Sequence, residues 1–361
     1  MDSRSANPSR SSLRSGPPVA FVTGAGGFVG ANLVRTLLAR GWEVRALVRG
    51  EAPTLAGLPL TVVRGDLFFD GLAAAMRGSD AVFHLAAAYS LWRRDRARVF
   101  RDTVEGTRSV LRAARAAGVP RIVHTSSVAA IGVRADGRPA DETYQSPPQR
   151  LVGAYKQAKY FAEAAARRAV DEGQDVVIVS PSTPIGPYDA KPTPTGEIVV
   201  RFLRGAMPAY VDTGLNLVDV RDVADGHLLA YERGRAGERY ILANENLSLR
   251  ELLRRLAAIA GRPAPRLRLP LAVAYGYAAL GEFVLAPLGL PADVPVESVR
   301  MAGQRMYYDG AKAVRELGLP QTPVDDALRA AVAWFRSSGM TGERRITNPT
   351  EDRWRSLSSR P

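Results

Sequence analysis

The amino-acid sequence predicts an α/β protein: a doubly wound parallel sheet followed by a smaller, mainly helical lobe. Three observations carry that expectation. From Val19 to Ser180 short apolar runs alternate with segments of helical period, as strands and crossover helices do in a parallel sheet covered on both faces. A glycine-rich turn follows the first of these runs directly. Beyond Pro181 the alternation gives way to loops punctuated by Pro and Gly and to separate helical stretches.

The strand candidates are Val19 to Thr23, Glu43 to Val48, Leu60 to Arg64, Ala81 to Leu85, Arg121 to Thr125 and Asp175 to Ser180. Between them lie amphipathic stretches, Val29 to Arg40, Thr103 to Ala117 and Tyr155 to Asp171, each ending near Gly or Pro as helices commonly do. After the loop Pro181 to Gly196, helices are expected near Val223 to Arg233, Leu249 to Ala260 and Val324 to Ser338. A lobe placed after the last strand covers the carboxyl ends of the sheet, where ligands of open α/β folds bind. The expected division is a tail at 1–17, a sheet domain at 18–181, a substrate lobe at 182–338 with some interleaving, and a flexible tail at 339–361.

Leu271 to Leu290 is long and apolar enough to raise the question of a membrane span, but Gly276, Gly281, Glu282 and Pro287 interrupt it. The expectation is a buried helix of the small lobe. The alternative is a peripheral membrane contact, because Arg266 and Arg268 sit just upstream and suit anionic headgroups.

Composition narrows the chemistry. The 361 residues include no Cys, so a disulfide framework or a thiolate nucleophile is excluded, and the three His are too scattered to suggest a metal cluster. The net charge of +13 comes mostly from Arg interspersed with acids. With no basic-aromatic stripe or groove-reading motif, nucleic acid is not an expected partner. Residues 1–17, rich in Ser, Arg and Pro, lack the apolar core of a signal peptide, and the cytoplasm is the expected location.

The turn after the first strand reads Thr23, Gly24, Ala25, Gly26, Gly27, Phe28, Val29, Gly30. Gly24 permits a tight turn, Gly27 lets backbone N–H groups approach a pyrophosphate, and Gly30 lets the following helix pack close to the sheet. This is the dinucleotide fingerprint of a Rossmann domain in its strand, loop, helix context. At the end of the second strand, where a carboxylate would hold the ribose 2′-OH of NAD, stand Leu47, Val48 and Arg49. Arg49 suits a 2′-phosphate, so NADP(H) is the expected cofactor, with NAD(H) left open.

Tyr155 and Lys159 lie four residues apart, on one face of a helix. A phenol titrates near 10, and an ammonium beside it stabilises the phenolate. Ser127, just past the strand ending at Thr125, is placed to hold a substrate oxygen while Tyr155 moves the proton. Loop, Ser127 and the Tyr155/Lys159 helix come in the order and at the separations that bring them to one sheet edge. Together they point to hydride exchange between an alcohol or ketone and the dinucleotide.

With these motifs the chain resembles the extended short-chain dehydrogenase/reductases, the NAD-dependent epimerase/dehydratase group. Within it the chain is similar to the hopanoid-associated sugar epimerases, themselves similar to dihydroflavonol 4-reductases. The resemblance covers about Ala20 to Arg336 and is carried by Ser180 to Pro187, Lys191 to Gly196, Pro208 to Val218 and Glu238 to Leu242. It implies that Asp66 and Leu67 contact the adenine, that Leu85, Ala86 and Ala87 lie along the cofactor, and that Pro181 to Thr183 flank the nicotinamide. It also implies substrate contacts at Tyr89, Trp92, Lys191, Tyr210 and Asn216, and a homodimer through helices of the Rossmann domain.

Several positions depart from the group. Thr103 stands where the group commonly has Asn, Thr183 where sugar-nucleotide epimerases tend to carry Asn, and no Arg occurs near Leu215 to hold a diphosphate. Val128 and Ala129 after Ser127 lack the acid and base of a 4,6-dehydratase. The expected function is therefore an oxidoreductase or epimerase acting on a sugar or polyol hydroxyl, tied by the resemblance to a hopanoid lipid. The alternatives are an NADPH-dependent ketone reductase of the dihydroflavonol 4-reductase type and a non-catalytic redox sensor.

Overall fold

Apolar runs of four to six residues, too short for helices and bounded by charge or glycine, form strands of a central sheet. A computed structural model describes residues 16–288, 290 and 294–342. Its first half contains β1 (Val19–Thr23), α1 (Phe28–Ala39), β2 (Glu43–Val48), β3 (Thr61–Arg64), α2 (Leu72–Met76), β4 (Ala81–His84), α3 (Arg96–Phe100), α4 (Gly106–Ala116), β5 (Arg121–Thr125), α5 (Val128–Ile131), α6 (Gly153–Asp171) and β6 (Val176–Pro181). All residues of β1, β4, β5 and β6 are buried, as strands covered on both faces must be. A π-helical turn over Arg101–Glu105 leads into α4.

The second half continues through β7 (Thr183–Ile185), α7 (Pro194–Leu203), β8 (Ala209–Val211), β9 (Gly214–Asp219), α8 (Val220–Arg233), β10 (Arg239–Leu242), β11 (Glu245–Ser248) and α9 (Leu249–Ala260). It ends with β12 (Leu267–Leu269), α10 (Leu271–Leu280), α11 (Val296–Ala302), β13 (Arg305–Met306), α12 (Ala311–Leu317) and α13 (Val324–Ser337). The main sheet runs β10-β6-β5-β4-β1-β2-β3 and every neighbouring pair is parallel. Because the chain leaves β1 in one direction and returns at β4 in the other, a crevice opens at the carboxyl ends of those two strands.

Past residue 181 the two parts of the chain interleave. β10 pairs with β6, and α8 packs on α1, so residues 220–242 complete the first domain. The reason is edge protection: β6 is buried throughout and without β10 would present its unpaired backbone to solvent. The C-terminal lobe is helical, with α7, α9 and α13 around a core including Val200, Leu203, Leu253, Leu256, Leu328 and Phe335. It also holds two small sheets, β11-β9-β13 with β7 beside β9, and β8 with β12.

Two expectations are corrected. Leu271–Leu288 is helical, but only 11% of it is buried, so it is a surface helix rather than a core one. Its apolar residues ring the helix, and it meets Val296 and Val299 of α11 through small residues, Ala274, Ala278 and Ala279. The C-terminal tail begins later than residue 339, since Met340 packs on the lobe core and its carbonyl accepts a 2.8 Å hydrogen bond from Arg204 Nε. The rest of the two predicted tails, residues 1–15 and 343–361, lies outside the described residues.

Candidate active site

The glycine turn between β1 and α1 is built for close approach. Gly24 has φ +71°, and a Cβ there would stand 2.7 Å from Ala86 N. A Cβ on Gly30 would stand 2.1 Å from Gly24 O, so only glycine lets α1 start so near the strand. Gly27 caps α1 without a side-chain hydrogen bond, and no acidic residue occupies the first turn. The N–H groups at Phe28 and Val29 and the positive end of the helix are left for an anion, and the turn fits a pyrophosphate.

Leu85, Ala86 and Ala87 leave the end of β4 beside this turn. Leu85 N donates to Thr23 O at 3.2 Å and Ala86 N to Thr23 Oγ1 at 3.3 Å. Behind them the His84 ring bridges Thr23 Oγ1 (2.8 Å) and Thr107 Oγ1 (3.0 Å). Thr107 donates to Thr103 O, and the Thr103 hydroxyl accepts from Ala88 N at 3.2 Å. Thr103, which departs from the group's Asn, therefore anchors the loop after β4. Burial pushes His84 down to about 3, so its ring is a neutral spacer.

The outer rim carries the residues expected near the adenosine. Arg49 follows β2, is exposed, and lies 3.9 Å from Asp102. The Asp66 carboxylate accepts from Phe68 N at 2.8 Å just past β3. Leu67 turns its side chain into the core against Gly106, leaving its main chain alone for a ligand.

At the neighbouring strand end Ser127 caps α5, its Oγ accepting from Ala129 N at 3.1 Å. Tyr155 in the first turn of α6 lies close enough for the same hydroxyl to act on its phenol. Burial pushes the Tyr155 phenol up, and the nearby Ser127 hydroxyl works against that rise. One turn along, Lys159 Nζ donates to Thr125 O at 2.9 Å, and burial pushes its ammonium down to about 8 while Glu163 opposes the shift. Glu163 accepts from Ser126 Oγ at 2.6 Å and pairs with Arg239 of β10 at 3.1 Å. The return of β10 thus braces the helix that carries Tyr155 and Lys159. Pro181 ends β6 and Thr183 opens β7, with Ser182 N held on Leu242 O at 3.0 Å.

Of the substrate candidates, Tyr89 meets Tyr155 edge to face with ring centroids 4.6 Å apart, and 45% of it is exposed at the mouth of the site. Trp92 follows in the same segment, its N–H on Ser90 Oγ at 3.1 Å. Lys191 is exposed in the loop before α7, and Tyr210 packs on the lobe core. Asn216 requires correction: it is fully buried on β9, its amide donates to Asn246 Oδ1 at 2.9 Å and its carbonyl accepts from Asn244 N at 3.1 Å. With both ends spent on β11 and its flank, it ties the small sheet together.

Glu297 escaped the sequence reading. It comes from α11, and a Cβ on Gly153, which has φ +87°, would lie 2.4 Å from its Oε2. A residue of the distant lobe therefore sits against the start of α6, at Gly153, two positions before Tyr155. Burial pushes Glu297 up, and Glu282 adds to the rise. No local pattern in the sequence signals this contact.

Residues 20–243 match the model of the NAD dependent epimerase/dehydratase family. A Synechocystis sp. protein provisionally described as a dihydroflavonol 4-reductase is 56% identical over 325 residues, 88% of this chain and 95% of its own length. Sterol demethylase protein B of Methylococcus capsulatus is 37% identical over 326 residues, 89% of this chain and 99% of its own. The crystal structure of DesIV, a dTDP-glucose 4,6-dehydratase of Streptomyces venezuelae with NAD bound, superposes with a TM-score of 0.73 at 28% identity, covering 89% of this chain and 98% of that one.

Proposed function

This chain belongs to the NAD-dependent epimerase/dehydratase family and is an NAD(P)-dependent oxidoreductase, and from that premise we propose that it exchanges hydride at a hydroxyl or ketone carbon of a sugar- or polyol-like group carried on a hopanoid-type lipid. The nicotinamide ring supplies the hydride chemistry. Ser127 holds the substrate oxygen and Tyr155 gives or takes its proton. Lys159 supplies a fixed positive charge beside the ribose and the phenol, which favours the phenolate. Arg49 receives the 2′-phosphate of NADP(H), and the enzyme works in the cytoplasm. The observation that carries this reading is the Ser127 hydroxyl close to the Tyr155 phenol, one helical turn from Lys159 and at the same end of the sheet as the Gly24–Gly30 turn.

A net ketone reductase is the second reading. It is favoured by Thr183 and Leu215 in place of sugar-nucleotide anchors, and by an Asn216 whose amide is already used. Purified protein separates the two. Dinucleotide retained through purification supports the epimerase, whereas steady NADPH consumption with a ketone supports the reductase. In either case Tyr155→Phe abolishes turnover and leaves dinucleotide affinity within a few-fold. Turnover that survives this substitution, or dinucleotide binding without turnover on any alcohol or ketone tried, removes the catalytic assignment.

A further inference from the structure

The surface formed by Leu271–Leu288 does not follow the pattern of a helix serving its own fold. Its mean hydropathy is 1.5 with only 11% of it buried, and Val273, Tyr277, Phe283 and Leu288 are 56%, 59%, 52% and 69% exposed. An amphipathic helix of a water-soluble surface keeps its apolar stripe inward; here the apolar residues face out. The segment is tied to the lobe at its start and again past its middle: β12, immediately before, pairs with β8, and Glu282 accepts a 2.8 Å hydrogen bond from Val296 N of α11. A segment held so cannot carry its ends to opposite faces of a bilayer. It can lie along one.

The rim is cationic. Arg93 stands over the Phe283 ring at 5.9 Å and Arg300 over the Tyr275 ring at 5.9 Å. Arg94 and Arg96 beside the first, and Arg266 before α10, are exposed as well. Tyr275 and Tyr277 supply aromatic rings at the boundary, where such side chains favour headgroup depth. An apolar face ringed by Arg and Tyr has the charge and shape of an interfacial element.

We propose that Leu271–Leu288 and its Arg rim form a docking face for an anionic lipid bilayer, on which the protein rests without crossing. The face adjoins the candidate site, because α10 packs on α11 and Glu297 of α11 lies against Gly153 at the start of the helix that carries Tyr155. A substrate with an apolar anchor reaches Tyr155 past Tyr89 without leaving the interface. The argument rests on exposure and charge, and stands apart from the redox reading.

The test is sedimentation of the full chain, without substrate or cofactor, with vesicles of phosphatidylcholine alone and of phosphatidylcholine containing about one third phosphatidylglycerol. Binding to the anionic vesicles that weakens with added salt is expected. The double variant Val273→Glu/Phe283→Glu loses it by about tenfold or more while dinucleotide binding and thermal unfolding stay as in the parent. In the variant Phe283→Trp, fluorescence at that position is quenched by brominated lipid. Absence of binding by the parent chain, or binding that survives the glutamate pair, overturns the proposal. So does a dimer in light scattering that the glutamate pair dissociates while vesicles are ignored, since the face then belongs to a second copy.

Discussion

Replacing Lys159 by Met is expected to abolish turnover while leaving the folded protein as hard to unfold near neutral pH, or harder. The ammonium is buried, and burial has moved its pKa from 10.5 to about 8. At roughly 1.4 kcal/mol per unit, this is a penalty of about 3 kcal/mol for keeping the charge in the folded state. Methionine fills the space without the charge. It also strands Thr125 O, which costs about 1–3 kcal/mol, so the net gain at neutral pH is about 0–2 kcal/mol. The pH dependence is sharper. Since the folded pKa lies below the unfolded one, the unfolded chain binds the extra proton between about pH 8 and 10.5, and parent stability rises with pH across that window. Lys159→Met lacks this rise, so its advantage over the parent shrinks by about 2 kcal/mol between about pH 7 and 9.5. Lys156, also displaced to about 8, titrates in both proteins and cancels. Urea unfolding at the two pH values reads the difference, and turnover is expected to fall on the order of 10²–10⁴-fold. A stability difference that does not change with pH would show that the ammonium is not desolvated, and retained turnover would remove Lys159 from the reaction.

Gly30→Ala places a Cβ 2.1 Å from Gly24 O; it should destabilise by about 1–3 kcal/mol and weaken dinucleotide binding, read by chemical unfolding and by titration. Arg49→Ala should raise KM for NADPH by roughly tenfold or more and leave KM for NADH nearly unchanged, and equal effects would sink the NADP assignment. Asn216→Ala orphans Asn244 N, while Asn246 Oδ1 keeps its hydrogen bond from Tyr308 N, and should cost about 1–3 kcal/mol with dinucleotide affinity intact. A rise in substrate KM without loss of stability would instead restore Asn216 as a ligand. Glu297→Gln should be tolerated in the fold but shift the pH profile of turnover at its acid side, because it removes the carboxylate that sits against the start of the Tyr155 helix; an unchanged profile would confine Glu297 to packing.

Much of the sheet domain was legible in the chain because its signals are local. Three of the six predicted strands, Val19–Thr23, Glu43–Val48 and Arg121–Thr125, have the observed bounds, and the others differ by a residue. Glycine spacing at 24, 27 and 30 and the Tyr155/Lys159 interval depend on one turn and one helix, whose geometry any folded context preserves. Tertiary structure alone decided what each apolar segment is buried against. Hydrophobicity states that a side chain avoids water without naming its partner. Arg239–Leu242 therefore closes the edge at β6 across a lobe boundary, Asn216 spends its amide on neighbouring strands, and Glu297 crosses to sit against the start of the Tyr155 helix. For the same reason Leu271–Leu288, as apolar as a core helix, lies on the surface: a uniform apolar run has no face that tells it which way to turn.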